Sequence, residues 1–175
     1  KLGICYLNGR GVSKDNAEAA KWFRKAADQG NAAAQINLAI CYNRGEGVTQ
    51  DDPEAVKWFR KAADQGDVFA QCRLGLCYEQ GEGVTKDDAA AAKWYRKAAE
   101  QGDTIAQFSL GLFHAQFGGE KKDLVEAYKW WNIAAASGDK SATSFRDRIA
   151  KEMTEDQINK AQRLSREWIP KKQGF

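Results

Sequence analysis

Apolar residues along this chain fall on two alternating helical faces. In AAQINLAICY, Ala34, Leu38, Cys41 and Tyr42 recur at i, i+4, i+7 and i+8, the stripe of an amphipathic helix. In PEAVKWFRKAA, Ala55, Trp58, Phe59, Ala62 and Ala63 mark a second stripe. Between them lies the polar stretch GEGVTQDD, Gly45 to Asp52. Its glycines predict a helix end, where glycine adopts the left-handed backbone without steric cost. Asp52 before Pro53 predicts an N-cap followed by proline at the first helical position, with Asn16 and Asp88 in the same place. A phosphate loop would need Lys-Ser or Lys-Thr after the glycines, and a calcium loop would need acids at alternating positions. Neither is present, so the stretch reads as helix stop, turn and helix start.

The whole pattern recurs with a step of 36 residues: GRGVSKDN at Gly9 to Asn16, GEGVTQDD, then GEGVTKDD at Gly81 to Asp88. Trp22, Trp58, Trp94 and Trp130 keep the step, as do Gly30, Gly66, Gly102 and Gly138, and Leu2, Leu38, Leu74 and Leu110. A fixed period of this size marks a solenoid or array of two-helix units, each burying its stripe against its neighbours. A loop present in every unit is structural rather than catalytic.

The pattern A-Q-x-x-L-[GA]-x-x-Y-x-x-G-x-G-V, followed by D-x-x-x-A-x-x-W-[FY]-x-x-A-A-x-x-G, resembles the Sel-one-like repeat (SLR) family, a relative of the tetratricopeptide repeat. It is met in Ala34 to Gly66 and again in Ala70 to Gly102. The resemblance implies an all-α fold: a right-handed α/α superhelix, or solenoid, of antiparallel helix pairs. It covers residues 1–138 as about four repeats, the first incomplete at its N-terminus. The fourth unit departs from the pattern: His114 stands at the tyrosine position, Phe117 replaces the first loop glycine and Glu120 replaces the valine. The loop QFGGEKKD is therefore expected to run differently.

Beyond the repeats, residues 139–170 predict C-terminal capping helices, and 171–175 form a tail. Thr154 and Gln157 have capping-box spacing, and Met153 and Ile158 sit where a hydrophobic staple would close. Ile158, Ala161, Ser165 and Trp168 make a one-sided stripe that Pro170 ends, preceded by a helix from about Lys140 to Lys151. Similar tails close bacterial members of the family, which implies a natural end near Phe175. At the other end, KLGICYLNG opens part-way through a first helix, which reads as the start of a fragment.

Composition narrows the functional classes only slightly. No apolar run is long enough to span a bilayer, and no charged-then-apolar leader is present. The net charge of +3 is mild. The repeated KWFRK places Lys21, Arg24 and Lys25, and their counterparts, beside each tryptophan, an arrangement that invites a nucleic-acid reading. Helical geometry turns those cations away from the tryptophan stripe, and Glu18, Asp28, Glu54 and Asp64 neutralise much of them, so a solvated convex face is expected and no nucleic-acid binding.

Cys5, Cys41 and Cys77 share one phase, one per unit. Equivalent positions in stacked helices lie roughly 10 Å apart, whereas a disulfide needs Cα atoms within about 7 Å. Cys72 and Cys77 point about 140° apart around one helix. Buried packing thiols are expected, leaning weakly to a reducing compartment; a secreted or periplasmic location stays open. No cysteine or histidine spacing suits a metal, and no cofactor is expected. His114, at a structural tyrosine position, is expected to pack, and the acid pairs Asp51–Asp52 and Asp87–Asp88 lie at helix starts rather than across a cleft. With no convergent, non-repeated constellation, the chain is not read as an enzyme.

What varies from unit to unit is the remaining clue. In tetratricopeptide-like solenoids the first helix of each pair lines the concave side, which implies a partner surface at Ile36, Ile40, Asn43, Arg44, Phe69, Cys72, Leu76, Glu79, Gln80, Ile105, Phe108, Leu112 and Gln116, joined by Ala33, Ala115 and, from the first unit, Ile4, Leu7 and Asn8. Phe69, Leu76, Ile105, Phe108 and Leu112 would supply an apolar centre, unless curvature packs them against neighbouring helices or the C-terminal segment covers them. The reading is a non-catalytic scaffold or adaptor that binds a protein or peptide ligand, a monomer being favoured. A carbohydrate- or cell-wall-binding module is the alternative.

Overall fold

The computed structural model describes residues 1–116 and 123–170. Expectations about the interior of the fourth loop (Phe117, Glu120) and about the 171–175 tail lie outside them. Ten helices are found among the described residues: α1 (Leu2–Asn8), α2 (Asn16–Ala27), α3 (Ala32–Arg44), α4 (Asp52–Asp64), α5 (Val68–Gln80), α6 (Asp88–Glu100), α7 (Thr104–Gln116), α8 (Leu124–Ala136), α9 (Lys140–Ala150) and α10 (Glu155–Glu167). They fall into two compact units, Lys1–Asp87 and Asp88–Phe175. In the first, α1 to α5 pack each on the next. In the second, α6 to α9 do the same and α10 packs on α8. Consecutive helix pairs thus stack in the manner of a solenoid within each unit.

The turn between the two helices of a repeat is built the same way each time. After α3, Gly45 takes the left-handed conformation at φ 68° and its amide donates to the Cys41 carbonyl. Glu46 N donates to the same carbonyl at 2.9 Å, and Asp51 N closes the loop on Tyr42 O at 3.0 Å. The loop after α5 repeats these bonds through Glu82 and Asp87. The fourth repeat keeps the closing bond, Asp123 N to His114 O at 3.2 Å, despite its altered sequence.

The N-caps fall one residue earlier than Asp52 and Asn16. Asp15 Oδ1 accepts from the amides of Ala17 and Glu18, and Asp51 Oδ1 accepts from Glu54 N at 2.8 Å. Both cap residues have extended backbone, the geometry that aims a short side chain at the free amides. Asn16, Asp52 and Asp88 are instead the first residues of their helices.

The second glycine of each turn has a different task. Gly47 and Gly83 have φ of +77° and +69°, and a Cβ on either would meet backbone of the preceding repeat. At Gly47 it would lie 2.0 Å from the Asn16 carbonyl oxygen, and at Gly83 2.3 Å from that of Asp52. The turn of one repeat therefore rests directly on the first residue of α2 or α4 in the repeat before it.

Polar side chains complete the junctions. Gln35, Gln71 and Gln107 are buried, and each donates from Nε2 to a carbonyl at the end of the preceding helix: Ala27, Ala63 and Ala99, at 3.2, 3.2 and 3.3 Å. This satisfies acceptors that a helix C-terminus leaves without an intrahelical donor. Gln35 Oε1 is itself satisfied by Gln65 Nε2 at 2.7 Å. At the corresponding place one unit from the end stands Ser137, whose hydroxyl points back to Ile133 O, and Gln107 Oε1 has no hydrogen-bond donor among the described residues.

The repeated tryptophans are interior, with Trp58 only 3% exposed and Trp94 7%. Trp22, in the first repeat, is the exposed exception. The cations beside them are less free than a solvated face implies. Lys61 Nζ sits 3.8 Å from the Trp58 ring centroid and Lys97 Nζ 3.9 Å from that of Trp94, because an i, i+3 lysine can fold its stem over the ring edge that reaches the surface. Arg24 reaches into the next repeat, donating to Tyr42 Oη and lying 5.0 Å from the Trp58 ring centroid, with Glu54 at 3.7 Å.

Within residues 139–170 lie α9 and α10, and α10 opens with a capping box at Thr154 and Gln157. Asn132 stands where earlier repeats have Arg24 and Arg60. It donates to Ser165 Oγ of α10 at 2.8 Å and accepts from Arg146 of α9 at 3.1 Å. Trp168 packs edge-on against Trp130, ring centroids 6.2 Å apart.

The missing donor to Gln107 generates a prediction. Ser137 has φ −85° and ψ 4°, almost the backbone of Gln65 at −79° and 0°, so glutamine fits there without strain. Ser137→Gln is expected to stabilise the second unit by about 1 kcal/mol, the usual net worth of one added hydrogen bond. Urea unfolding checks this, with the midpoint rising at unchanged slope.

Candidate binding surface

The side of each first helix that faces away from its stripe is where the sequence varies. On α3, Ile36 and Ile40 are half-buried and Arg44 is exposed, its guanidinium 3.6 Å from Glu46 in the following turn. On α5, Phe69 is 49% exposed, Cys72, Leu76 and Glu79 are half-buried and Gln80 is exposed. Asn43 has a structural task as well, since its amide donates to Asp52 Oδ1 at 3.0 Å and its carbonyl oxygen accepts from Arg73 at 3.3 Å. That pair ties α3 to α5 and leaves Asn43 less available to a ligand than its position suggests.

Arg73 was not among the positions singled out from the sequence. Its guanidinium lies 5.7 Å from the Phe59 ring centroid, half-buried at the junction of the two helices. The signal was present: Asn37, Arg73 and Ser109 occupy one position of the repeat and all differ.

In the second unit, Ile105 is 67% exposed and Gln116 is exposed. Phe108 and Leu112 are half-buried, packed against the cluster of Ala127, Tyr128, Trp131 and Ile149. Phe145 of α9 meets Phe108 edge-on at a centroid separation of 5.3 Å, so α9 covers this part of α7. Beside it a cleft of about 170 Å³ is bounded by Leu112, Leu124, Trp131 and Phe145, with Arg148 and Glu152 at its edge. A larger groove of about 470 Å³ in the first unit lies among Leu2, Ile4, Trp22, Phe23, Lys25 and Asn37. Phe69 and Ile105 occupy one repeat position, 36 residues apart, and each is exposed within its own unit.

Groups with perturbed titration serve the framework. The Lys57 ammonium hydrogen-bonds Glu54, and with Trp58 Nε1 at 3.0 Å and Arg24 nearby it holds that carboxyl below its usual range. All four cysteines are thiols. Burial pushes Cys77 up to about 11 and also raises Cys41. Among the described residues, no group of three or more His, Cys, Asp or Glu side chains is placed to hold a metal ion, and no helix is long and apolar enough to cross a membrane.

Because the folded Cys77 thiol ionises at higher pH than an unfolded one, the unfolded chain loses its proton first on titration with base. Stability from this residue is fully present below about pH 9 and lost as pH rises towards 11. Unfolding midpoints measured across that window should fall, and Cys77→Ala should fall less steeply, despite a lower starting stability.

The Sel1 repeat model matches four consecutive segments, residues 1–31, 32–67, 68–103 and 104–139. Among solved structures the chain is similar to c5321, described as a protective antigen present in uropathogenic Escherichia coli strains displaying an SLR fold. The identity is 37% and the TM-score 0.82, over 95% of this chain and 37% of that one. It is also similar to a Sel1 repeat protein from Oxalobacter formigenes, at 35% identity and a TM-score of 0.79, over 93% of this chain and 71% of that one. The chain thus spans well under half the length of the first of these relatives. No curated protein gave a significant match.

Proposed function

The chain belongs to the Sel1 repeat family, whose repeats are typically protein-interaction scaffolds, and on that premise we propose that it binds a peptide or protein segment without catalysis, on the exposed face of its first helices. The observation that supports this is the exposure of Phe69 and Ile105 at one repeat position, where Ala33 is exposed as well. Exposing a large apolar side chain forgoes the roughly 1.5–3 kcal/mol that its burial would contribute, and such positions are where a partner gains affinity. In the first unit, Ile36, Ile40, Cys72 and Leu76 extend the surface around Phe69, while Arg44, Glu79 and Gln80 supply polar selectivity at its edge. In the second, Ile105 and Gln116 play these parts, with Phe108 and Leu112 as half-buried support.

The carbohydrate reading relies on stacked aromatic faces. Trp58 and Trp94 do not offer theirs, being buried with Lys61 and Lys97 laid over them. Among the described residues, Cys41, Cys77 and His114, the perturbed groups on first helices, stand in separate repeats and do not converge, which likewise favours a scaffold over an enzyme.

The test uses Phe69→Ser and Ile105→Ser, singly and together. Phe108 is unsuitable, since its contacts with Trp131 and Phe145 make its loss a packing defect. Each exposed substitution is expected to weaken partner capture about tenfold or more, a loss of about 1.4 kcal/mol, with the helical circular dichroism and unfolding midpoint unchanged. Quantitative pull-down against the wild-type chain measures this. Undiminished capture by the double variant contradicts the proposed surface.

A further inference from the structure

Two of the repeat junctions are tied by arginine and tyrosine. Arg24 donates to Tyr42 Oη and Arg60 to Tyr78 Oη, each guanidinium 5.6 Å from the ring centroid. In the next repeat the arginine is kept and the acceptor changes. Arg96 Nη2 lies 3.4 Å from His114 Nε2. A phenol accepts a hydrogen bond at any pH below about 10. An imidazole accepts at Nε2 only when it is neutral with its proton on Nδ1; once protonated it has no lone pair and sets a second positive charge against the guanidinium.

The surroundings make this substitution consequential. His114 is half-buried, and Phe113 stands edge-on to its ring at 5.7 Å. α6 presents Arg96 to it; α8 presents Glu126 and Lys129, and Asp123 at the start of α8 adds a further carboxylate. Lys129 is itself held by Glu126 at 2.9 Å, so the negative charge near the imidazole is partly neutralised already. Burial pushes the imidazole below its ordinary value, Glu126 and Asp123 act the other way, and Arg96 and Lys129 add to the lowering. Residues 117–122, with their own Glu and two Lys, lie outside the described part of the chain.

We propose that the Arg96–His114 contact is an acid-sensitive tie between α6 and α7, made by the neutral imidazole and released on its protonation, where the other repeats hold a tie indifferent to mild acid. Folding linkage gives its sign. The unfolded chain takes up the proton first as pH falls below about 6.5, so the stabilisation is complete above that value and is lost on acidification until the folded imidazole is protonated as well. His114 O also accepts from Asp123 N, which couples the tie to the start of α8.

The chain contains a single histidine, so imidazole NMR signals report His114 without assignment. The expected result is a titration midpoint below 6.5 and a neutral form protonated on Nδ1. Arg96→Gln should raise the midpoint, and amide exchange in α7, corrected for intrinsic rates, should quicken several-fold between pH 7 and pH 5.5. His114→Tyr should remove that acceleration. A neutral form protonated on Nε2, a midpoint indifferent to Arg96→Gln, or the same acid dependence in His114→Tyr would overturn the proposal. The first two readouts use the wild-type histidine and stand even if the tyrosine variant folds poorly.

Discussion

The first unit depends on a backbone-to-backbone contact. Gly47 and Gly83 bring the turn of one repeat so close to the first residue of the previous repeat's second helix that a single added carbon would overlap a carbonyl oxygen. That approach sets how far apart neighbouring repeats sit. Once it is fixed, Arg24 can reach Tyr42 and Trp58, and Gln35 can reach the Ala27 carbonyl. The side-chain ties are then short because the spacing is already right. Two other glycines in the same motif, Gly45 and Gly81, serve only their own helix ends, which is why the motif has two glycines rather than one.

Much of this was legible in the sequence, for a physical reason. A residue kept in every copy meets the same surroundings wherever both neighbours are present, so Trp58, Leu38 and Leu74 could be assigned to the interior from periodicity alone, and they are there, whereas Trp22 and Leu2 of the first repeat are exposed. The caps were misplaced by one residue because Asp51 and Asp52 are chemically alike, and only the extended backbone at Asp51 distinguishes the capping carboxylate. Lys61 and Lys97 read as solvated charges because helical wheels locate Cβ atoms, not the ends of long flexible stems. Phe108 looked available because its cover, Phe145, lies in a segment outside the repeat, where no internal comparison helps. The buried glutamines were visible as a constant letter, yet their carbonyl partners required coordinates.

The end of the repeats shows the same logic in reverse. The junction arginine disappears at position 132, where asparagine is short enough to bond α10 and α9 instead. Ile133 takes the place of Lys61 and is buried. Side chains that elsewhere meet a following tryptophan repeat are here replaced by ones that meet α9 and α10. Against this fixed background, the residues that vary and remain exposed, Phe69 and Ile105 foremost, are those freed from the needs of the stack.

Two glycines in equivalent positions allow the central contact to be isolated. Gly11 and Gly47 share the left-handed backbone, φ 76° and 77°, but an added Cβ meets nothing within 4 Å at Gly11 and backbone of the preceding repeat at Gly47. Chemical unfolding of Gly11→Ala and Gly47→Ala therefore separates conformational strain from the inter-repeat approach. Gly11→Ala should cost about 1–2 kcal/mol from backbone strain alone, and Gly47→Ala about 1–3 kcal/mol more from displaced backbone. Equal losses in the two variants would contradict the claim that this contact sets the spacing of the repeats.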